Sequence, residues 1–415
     1  MHPTQLAIGM MTGSSMDGID AALIETDGHH YVRTLATACS TFSPAFQLAL
    51  RIAEYAVQQT AGHLAQATMH FPQYITQYLD STPVTTHIRN ALSTYTLDRI
   101  MQCLTEDHAT LVKRLLQQTP FTADAIGVIG FHGQNLYHHP EQGITLQVGD
   151  GQLLANLTGI PVINRFREND VQHGGQGAPF APLYHQVLVN QKALHPAAIV
   201  NCGGIANVTY ISGPKPEQLI GFDTGPGNVL IDRFIREKTQ QQENMDRDGR
   251  YGLQGQVNQA VLQQLLQEAI TDPDYLHKKP PKSLDSRQFH LIDAIQHVSI
   301  EEGAATLEAF TAHCIVDSLN VISLPPPKTW ILAGGGWNNP VITTYLTQYL
   351  HAKMGPDVSV KQAHDYGWHT QFLEAEMFGY FAVRSLLDLP ISYPNTTGVS
   401  QPMTGGQLHR PSAFV

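Results

Sequence analysis

Two segments of this sequence share one plan, and that repetition constrains the fold more than any other feature. Each segment has an apolar strand, a glycine-rich turn and a second apolar strand, and the segments cover residues 7–24 and 198–211. The chain has 415 residues, which is long enough for two domains. A unit that recurs a little under half the chain later predicts two similar α/β domains that face each other across a cleft.

The remaining patterns give the order of the elements. A third strand at 32–39 completes three successive β segments, which predict an antiparallel meander. The apolar run 125–131 predicts a strand parallel to the first that delivers His132 and Gln134 at its C-terminal end, where open α/β sheets place ligand groups. Further predictions are a strand at 329–333, a loop at 278–283, irregular structure at 390–415, and helices at about 45–58, 97–118, 302–321, 370–388 and from 228. The predicted domains are 1–195 and 196–370, and the segment from about 370 to 415 can pack back on the first.

A charged, amide-rich loop at 164–179 follows an apolar run and ends in three glycines. Pro179 and Pro182 then predict the first turn of a helix over 180–189. Asp170 lies at the mouth of this predicted exposed loop, where a carboxylate can remove a proton from a bound molecule. The alternative is an aspartate that only hydrogen-bonds its own turn.

Four glycine-rich turns can bind phosphate oxygens through their backbone N–H groups. They lie at residues 12–18, 202–207, 223–228 and 333–336. The sequence lacks the GxxxxGK[ST] of a P-loop, and it lacks a GxGxxG between a first strand and a helix. The first absence excludes a P-loop, and the second argues against a dinucleotide-binding fold.

Carboxylates lie beside these loops, at Asp17, Asp170, Asp223 and Glu374. A phosphoryl-transfer site needs a metal ion near the β- and γ-phosphates and a base for the attacking oxygen. Glu374 and Glu376 are two residues apart on a predicted helix, so only one of them can face a cleft.

The composition excludes several classes of partner. A formal net charge of −11 and a pI near 6.0 argue against binding to a nucleic-acid backbone or an anionic membrane. The four cysteines lie far apart, which suits reduced thiols in a cytosolic protein. We expect neither a signal peptide nor a membrane span, since the N-terminus has no basic region and no long apolar run exists. The 21 histidines lack the i, i+4 helical spacing of a zinc pair.

Seven motifs stand out along the chain: GSSMDG at 13–18, HGQ at 132–134, GGQGAP at 174–179, NCGGIAN at 201–207, GFDTGPGN at 221–228, AGGG at 333–336 and the helix of Glu374 and Ala375. Together they resemble the motifs of the anhydro-N-acetylmuramic acid kinases, in order from about residue 7 to 408. The strings at 174–179 and 221–228 are the most specific. That family belongs to the actin/hexokinase-like ATPase superfamily. The resemblance therefore implies an α/β fold of two ribonuclease-H-like domains around a central cleft.

The resemblance implies a cytoplasmic enzyme of peptidoglycan recycling that is usually a homodimer and uses ATP and Mg²⁺. Its reaction converts 1,6-anhydro-N-acetylmuramic acid, water and ATP to N-acetylmuramic acid 6-phosphate and ADP. Because the substrate has no free 6-hydroxyl, the internal ether must open as the phosphoryl group arrives.

The resemblance also implies roles for individual residues. Asp170 matches the general base, and Glu374 matches a second acidic residue near the nucleotide and the metal, which Asp17 would also contact. The implied ATP-binding residues are the phosphate-binding turn (Gly13, Ser14, Ser15, Met16, Asp17, Gly18, Ile19 and Asp20) together with Gly203, Gly204, Asn207, Gly334, Gly335 and Gly336. The implied substrate-binding residues are His132, Gln134, Gly175, Gln176, Asp223 and Gly225.

The sequence departs from the family pattern at two places. The family often has Thr where this chain has Ser14, and Arg287 reverses the charge of a common Glu, so we assign no function to 284–287. Asn395-Thr396-Thr397 is a glycosylation sequon by pattern only, because a cytosolic protein would not use it.

Some alternatives stay open at this point. Arg165 and Arg167 are either readers of the lactyl carboxylate of the sugar or solvated surface arginines. An ordinary sugar kinase that acts on a free hydroxyl is a second candidate function. A nucleotide-bound sensor without turnover is a third, and the four carboxylates beside the loops argue against it.

Overall fold

The computed structural model describes residues 2–13, 15–82, 84–92 and 95–412. Contacts between residues divide the chain into two compact units. Unit 1 comprises Met1–Val187 and Gln371–Val415, and unit 2 comprises Leu188–Thr370. Across these described ranges, none of the helices has the length and apolar character needed to cross a bilayer.

The bounds of the elements are as follows. The strands are β1 (Gln5–Met11), β2 (Gly18–Thr26), β3 (Val32–Thr41), β4 (Ile126–Phe131), β5 (Gln134–His139), β6 (Ile144–Val148), β7 (Val162–Asn164), β8 (Ala197–Cys202), β9 (Ile205–Ile211), β10 (Leu219–Pro226), β11 (Thr329–Ala333), β12 (Ser359–Gln362) and β13 (Gln407–His409). The helices are α1 (Pro44–Gln59), α2 (Leu64–Met69), α3 (Phe71–Ser81), α4 (Thr86–Leu92), α5 (Leu97–Gln117), α6 (Gly151–Thr158), α7 (Glu168–Gln172), α8 (Ala181–Gln191), α9 (Val229–Lys238), α10 (Gln259–Glu268), α11 (Asp293–Gln296), α12 (Ile300–Asp317), α13 (Pro340–Met354) and α14 (Leu373–Leu386).

The main sheet of unit 1 has the strand order β13-β7-β4-β1-β2-β3. Strands β1, β2 and β3 are antiparallel neighbours, which confirms the predicted meander. Strand β4 is parallel to β1, as predicted, and β7 is parallel to β4. The carboxyl ends of β1, β4 and β7 therefore meet at one edge of the sheet, where ligand groups collect in open α/β sheets.

The sheet of unit 2 repeats this plan, with the strand order β10-β9-β8-β11-β12. Strands β8, β9 and β10 form an antiparallel meander, and β11 and β12 follow in parallel with β8. Each unit also has its own hydrophobic core. A meander followed by two parallel strands is the ribonuclease-H-like topology. Its presence in both units confirms the predicted fold class.

Helix α14 packs against β1, β2 and β4 of unit 1. Two glycines in the strands allow this close approach. A Cβ at Gly9 would lie 1.8 Å from the carbonyl oxygen of Ala375, and a Cβ at Gly130 would lie 1.9 Å from that of Phe378. The first turn of α14, which carries Glu374, is thereby held against the carboxyl half of β1.

Two sequence predictions need correction. The segment 390–415 is not irregular throughout, because β13 (Gln407–His409) pairs with the edge strand β7. This strand has three residues and no alternating pattern, so pairing with β7, not local preference, forms it. The segment 164–179 is not simply an exposed loop, because it contains α7 and buries Asp170.

Candidate active site

Asp170 is a buried carboxylate of unit 1 with a hydrogen-bond donor on each oxygen. It lies in α7, after the carboxyl end of β7, and only 1% of its surface is exposed. The N–H of Gly177 donates to Oδ1 at 2.6 Å, and the hydroxyl of Thr397 donates to Oδ2 at 2.6 Å. Gly175 closes over the group, since a Cβ there would lie 2.2 Å from Oδ1. Asp170 thus bonds its own turn, as the alternative interpretation expected, but it is also fixed from a distant part of the chain.

Arg167 lies beside this carboxylate and is held by two neighbours. Its Nε donates to Nε2 of His132 at 3.0 Å, and its Nη1 donates to the carbonyl of Gly177 at 2.6 Å. Desolvation lowers the pKa of Arg167 to about 10, and the charges of Glu374 and Asp170 act in the opposite direction. The guanidinium is therefore charged at neutral pH, and its field reaches both candidate catalytic carboxylates.

His132 is a neutral ring in this network. Burial, together with the charge of Arg167, lowers the pKa of His132 well below its ordinary value. Nδ1 lies 2.9 Å from the carbonyl of Gly133, so Nδ1 carries the proton and Nε2 accepts from Arg167. Both ring nitrogens thus have partners within the protein.

Glu374 and Glu376 have separate roles in the structure. Glu376 is 3% exposed, and its carboxylate accepts hydrogen bonds from Thr34 at 2.7 Å and from Tyr184 at 2.8 Å. Glu374 is exposed. The question that the sequence left open is therefore answered: Glu374 is the residue of the pair that is available to a ligand.

The surroundings of Glu374 are acidic on one side and basic on the other. The pKa of Glu374 is raised, chiefly by desolvation. The positive charge of Arg167 lowers this pKa, and the negative charge of Asp20 raises it. Water reaches the exposed carboxylate, which limits its desolvation. Asp20 accepts a hydrogen bond from Gln371 at 2.9 Å, and burial, countered by this bond and assisted by Asp17, raises its pKa.

The predicted phosphate-binding turn lies between β1 and β2. The N–H of Met16 donates to the carbonyl of Gly13 at 3.1 Å, and Met16 has a φ of 55°. Ser15 donates its hydroxyl to Asp17 at 2.7 Å, and Arg51 donates to the carbonyl of Ser15 at 2.9 Å. This tight turn stands at the carboxyl end of β1, where a phosphate-binding turn is expected.

The same prediction included Ser14, Gly18 and Ile19. Ser14 lies outside the described residues. Gly18 and Ile19 belong to β2, and the side chain of Ile19 is 1% exposed. Only the backbone of Ile19 is thus available to a nucleotide.

Asp223 is fixed in unit 2 by backbone groups. The N–H of Leu284 donates to its Oδ2 at 2.8 Å, and its own N–H donates to the carbonyl of Lys282 at 3.2 Å. Burial raises the pKa of Asp223 to about 6, and the bond from Leu284 lowers it. The divergent loop 284–287 therefore holds Asp223 through its main chain, while Arg287 pairs with Asp285 at 2.8 Å. The side chain of Arg287 therefore takes no part in the contact with Asp223 that the loop makes through Leu284.

Two predicted glycine turns of unit 2 bond to each other. The N–H of Gly227 donates to the carbonyl of Gly204 at 2.9 Å, and that of Asn228 donates to the carbonyl of Gly203 at 2.8 Å. Asn207 pairs with Asp223 in the register of β9 and β10. The turns at 202–207 and 223–228 thus form one connected structure at the carboxyl end of β8.

The glycines of unit 2 differ in what surrounds them. A Cβ at Gly336 would lie 2.4 Å from Sγ of Cys202, and a Cβ at Gly225 would lie 2.8 Å from Cβ of Cys314, so these two are needed for packing. Gly334 has a φ of 92°, which favours glycine.

Among the described atoms, nothing lies within 4 Å of a Cβ built at Gly204 or Gly335. Of the predicted ATP-binding glycines of unit 2, these two therefore leave open space on the Cβ side.

Sequence reasoning missed Thr397 and left the position of Arg167 open. Thr397 belongs to a turn that the pattern presented only as a sequon, and no sequence signal links it to Asp170.

Of the predicted substrate residues, Gln134 is 1% exposed and its Oε1 has no partner among the described residues, whereas Gln176 is exposed. Arg165 is exposed and lies 3.6 Å from Glu168, unlike the half-buried Arg167.

Known proteins resemble this chain in sequence over most of its length. The model of the anhydro-N-acetylmuramic acid kinase family matches residues 49–411. A protein of Methylobacterium nodulans named anhydro-N-acetylmuramic acid kinase is 38% identical over 418 residues, which cover 98% of this chain and 100% of that protein. A protein of Zymomonas mobilis with the same name is 39% identical over 404 residues, which cover 97% and 99%. This chain therefore belongs to the anhydro-N-acetylmuramic acid kinase family, and it is a phosphotransferase.

Proposed function

We propose that this kinase couples two events on 1,6-anhydro-N-acetylmuramic acid. Water opens the 1,6-anhydro bridge, and the γ-phosphoryl group of ATP is transferred to the 6-oxygen, giving N-acetylmuramic acid 6-phosphate and ADP. The observation that carries the proposal is the carboxylate of Asp170, which is fixed by Gly177 and Thr397 at 2.6 Å each and lies beside a charged arginine. A reaction that uses water as nucleophile needs such a positioned base.

The bond changes follow from the substrate. Asp170 removes a proton from water as the water oxygen bonds to the anomeric carbon. The bond between that carbon and the 6-oxygen breaks, and the 6-oxygen bonds to the γ-phosphorus as ADP leaves. The proton on Asp170 is then released to solvent. Arg167 supplies positive charge beside Asp170 while anionic groups gather in the site.

Nucleotide binding would use the turn of Gly13 to Asp17 and the open glycines Gly204 and Gly335. Mg²⁺ usually takes one or two carboxylates together with phosphate oxygens and water, and its role is to neutralise charge on the β- and γ-phosphates. Asp17 and Glu374 fit that donor set and would hold it. Among the described residues, no group of three or more His, Cys, Asp or Glu side chains is placed so that it could hold a metal ion by itself.

The cellular role forms part of the same proposal. The family resemblance supports a cytoplasmic enzyme of peptidoglycan recycling that acts as a homodimer.

The test is ADP release in ¹⁸O-labelled water with three sugars: 1,6-anhydro-N-acetylmuramic acid, N-acetylmuramic acid and glucose. We expect turnover of the anhydro sugar alone, with one labelled oxygen in the sugar phosphate by mass spectrometry. Unlabelled N-acetylmuramic acid 6-phosphate, incubated in the same water, measures exchange at the anomeric carbon. Turnover of a free sugar with no label above that control would make the enzyme an ordinary sugar kinase.

A further inference from the structure

The turn at residues 393–397 is buried against the base. The N–H groups of Thr396 and Thr397 donate to the carbonyl of Tyr393 at 3.0 and 3.1 Å, which closes the turn. Thr396 directs its hydroxyl to the backbone of Tyr393. Thr397 is fully buried, and its hydroxyl points elsewhere. The turn therefore has the rigidity needed to hold another group in place.

Thr397 contacts the GGQGAP segment at two points. Its hydroxyl donates to Oδ2 of Asp170 at 2.6 Å, and its carbonyl accepts the N–H of Gln176 at 2.7 Å. Gly177 occupies the other oxygen of Asp170. One donor on each oxygen fixes the rotation of the carboxylate about its side chain, and each oxygen keeps a lone pair for a further hydrogen bond.

We propose that Thr397 is a positioning residue for the general base. This inference rests on the proposed role of Asp170. The hydroxyl holds the carboxylate in the orientation from which its free lone pair reaches the attacking water, while the carbonyl fixes the backbone at Gln176. The function of the sequon-like segment is thus to complete the base site from a position 227 residues away in sequence.

A purely structural role gives different expectations. A buried threonine hydroxyl needs an acceptor, and Asp170 could serve only as that acceptor. Loss of the hydroxyl would then lower stability and leave the turnover of the folded enzyme unchanged. A positioning role affects kcat more than KM, because the base acts in the transition state.

The decisive variant is Thr397→Val, which keeps the shape and removes the hydroxyl. We expect kcat for the anhydro sugar to fall roughly tenfold or more, with KM within about threefold, since small misplacements of a catalytic group are costly. Thr397→Ser restores a hydroxyl and should recover most of the loss. Thr396→Val is the matched control, because it removes a neighbouring buried hydroxyl that bonds only to Tyr393 among the contacts described here.

A double-mutant cycle with Asp170→Asn separates this inference from the proposed function. If Thr397 acts through Asp170, Thr397→Val has little further effect in the Asp170→Asn background. The inference is overturned if Thr397→Val keeps wild-type kcat, if its loss is undiminished in that background, or if Thr396→Val loses as much kcat. Near-normal turnover by Asp170→Asn would instead refute the general-base assignment itself.

Discussion

His132 accepts the Nε–H of Arg167 at 3.0 Å, so a neutral histidine orients the cation beside the proposed base. An imidazolium could not play this part, because both of its nitrogens donate. The depressed pKa of His132 is therefore required for the contact.

The variants His132→Leu and Arg167→Lys test this link. His132→Leu removes the acceptor, and Arg167→Lys keeps the charge but loses the planar geometry. We expect each to lower kcat/KM by roughly tenfold to a hundredfold, because a misplaced group near the reacting atoms is costly. Steady-state ADP release gives the values. The double variant should lose little more than either single variant, and fully additive losses would show that the two residues act separately.

Asp170→Asn tests the base directly. We expect kcat to fall at least about a hundredfold, the usual size of a general-base contribution. The fold should survive, because the hydroxyl of Thr397 can rotate to accept from the new amide while the amide oxygen keeps the N–H of Gly177. Asp150→Asn is the control, since Asp150 only caps α6 by accepting from Leu153 at 2.9 Å and asparagine caps equally well. Turnover within a few-fold of wild type would sink the assignment.

The two glutamates of α14 should separate function from stability. Glu374→Gln removes an exposed charge, so we expect an unchanged melting temperature with a lower kcat and a higher Mg²⁺ requirement. Glu376→Gln removes a buried carboxylate that accepts from Thr34 and Tyr184, so we expect a lower melting temperature and an unchanged Mg²⁺ requirement. Mg²⁺ titrations of ADP release and thermal unfolding give both quantities. The opposite pattern would contradict the assignment of Glu374.

Glu308 should make the stability of unit 2 depend on pH. It is fully buried, its Oε1 accepts from Asn339 at 2.5 Å, and desolvation, assisted by Asp246, raises its pKa from 4.5 to about 9. Between those values the folded state keeps a proton that the unfolded state loses. Stability from this group is therefore full below pH 4.5 and falls as the pH rises towards 9.

The neutral variant Glu308→Gln isolates that effect. Glutamine cannot titrate, but it retains an acceptor for Asn339 and a donor towards Asp246. We expect its melting temperature to decline less than that of wild type between about pH 6 and 9, where Glu308 loses its proton in the unfolded state but keeps it in the folded state. Thermal unfolding at several pH values gives both curves. Parallel curves would show that folding does not raise the pKa of Glu308.

The strands of the sheets were predicted well because most of them follow from a pattern in consecutive residues. The apolar runs at 6–11 and 125–131 each produce one strand close to its predicted bounds, and the unit at 198–211 produces two strands joined by its glycine turn. The repeated plan gives the same topology twice. Strand β13 could not be predicted in this way, since only its pairing with β7 makes it a strand.

The candidate site was predicted only in part, because some of its contacts join segments that are distant in sequence. Motifs identified Asp170 and Glu374, but burial decided between Glu374 and Glu376, and burial depends on how α14 meets the sheet. The neutrality of His132 depends on its distance from Arg167, and the contact of Thr397 depends on a return of the chain. The spacing of residues along a sequence predicts neither the distance between His132 and Arg167 nor the contact of Thr397 with Asp170.

Helix α14 and the turn at 393–397 belong to unit 1, although about half the chain separates them from Asp170. A ribosome therefore finishes the strands β1, β4 and β7 long before it supplies Glu374 and Thr397. Nascent chains would hold an unfinished site, in which the proposed base lacks its hydroxyl partner and the turn after β1 lacks its acidic neighbour. Unit 1 can therefore complete its fold only after the whole of unit 2 has been synthesised.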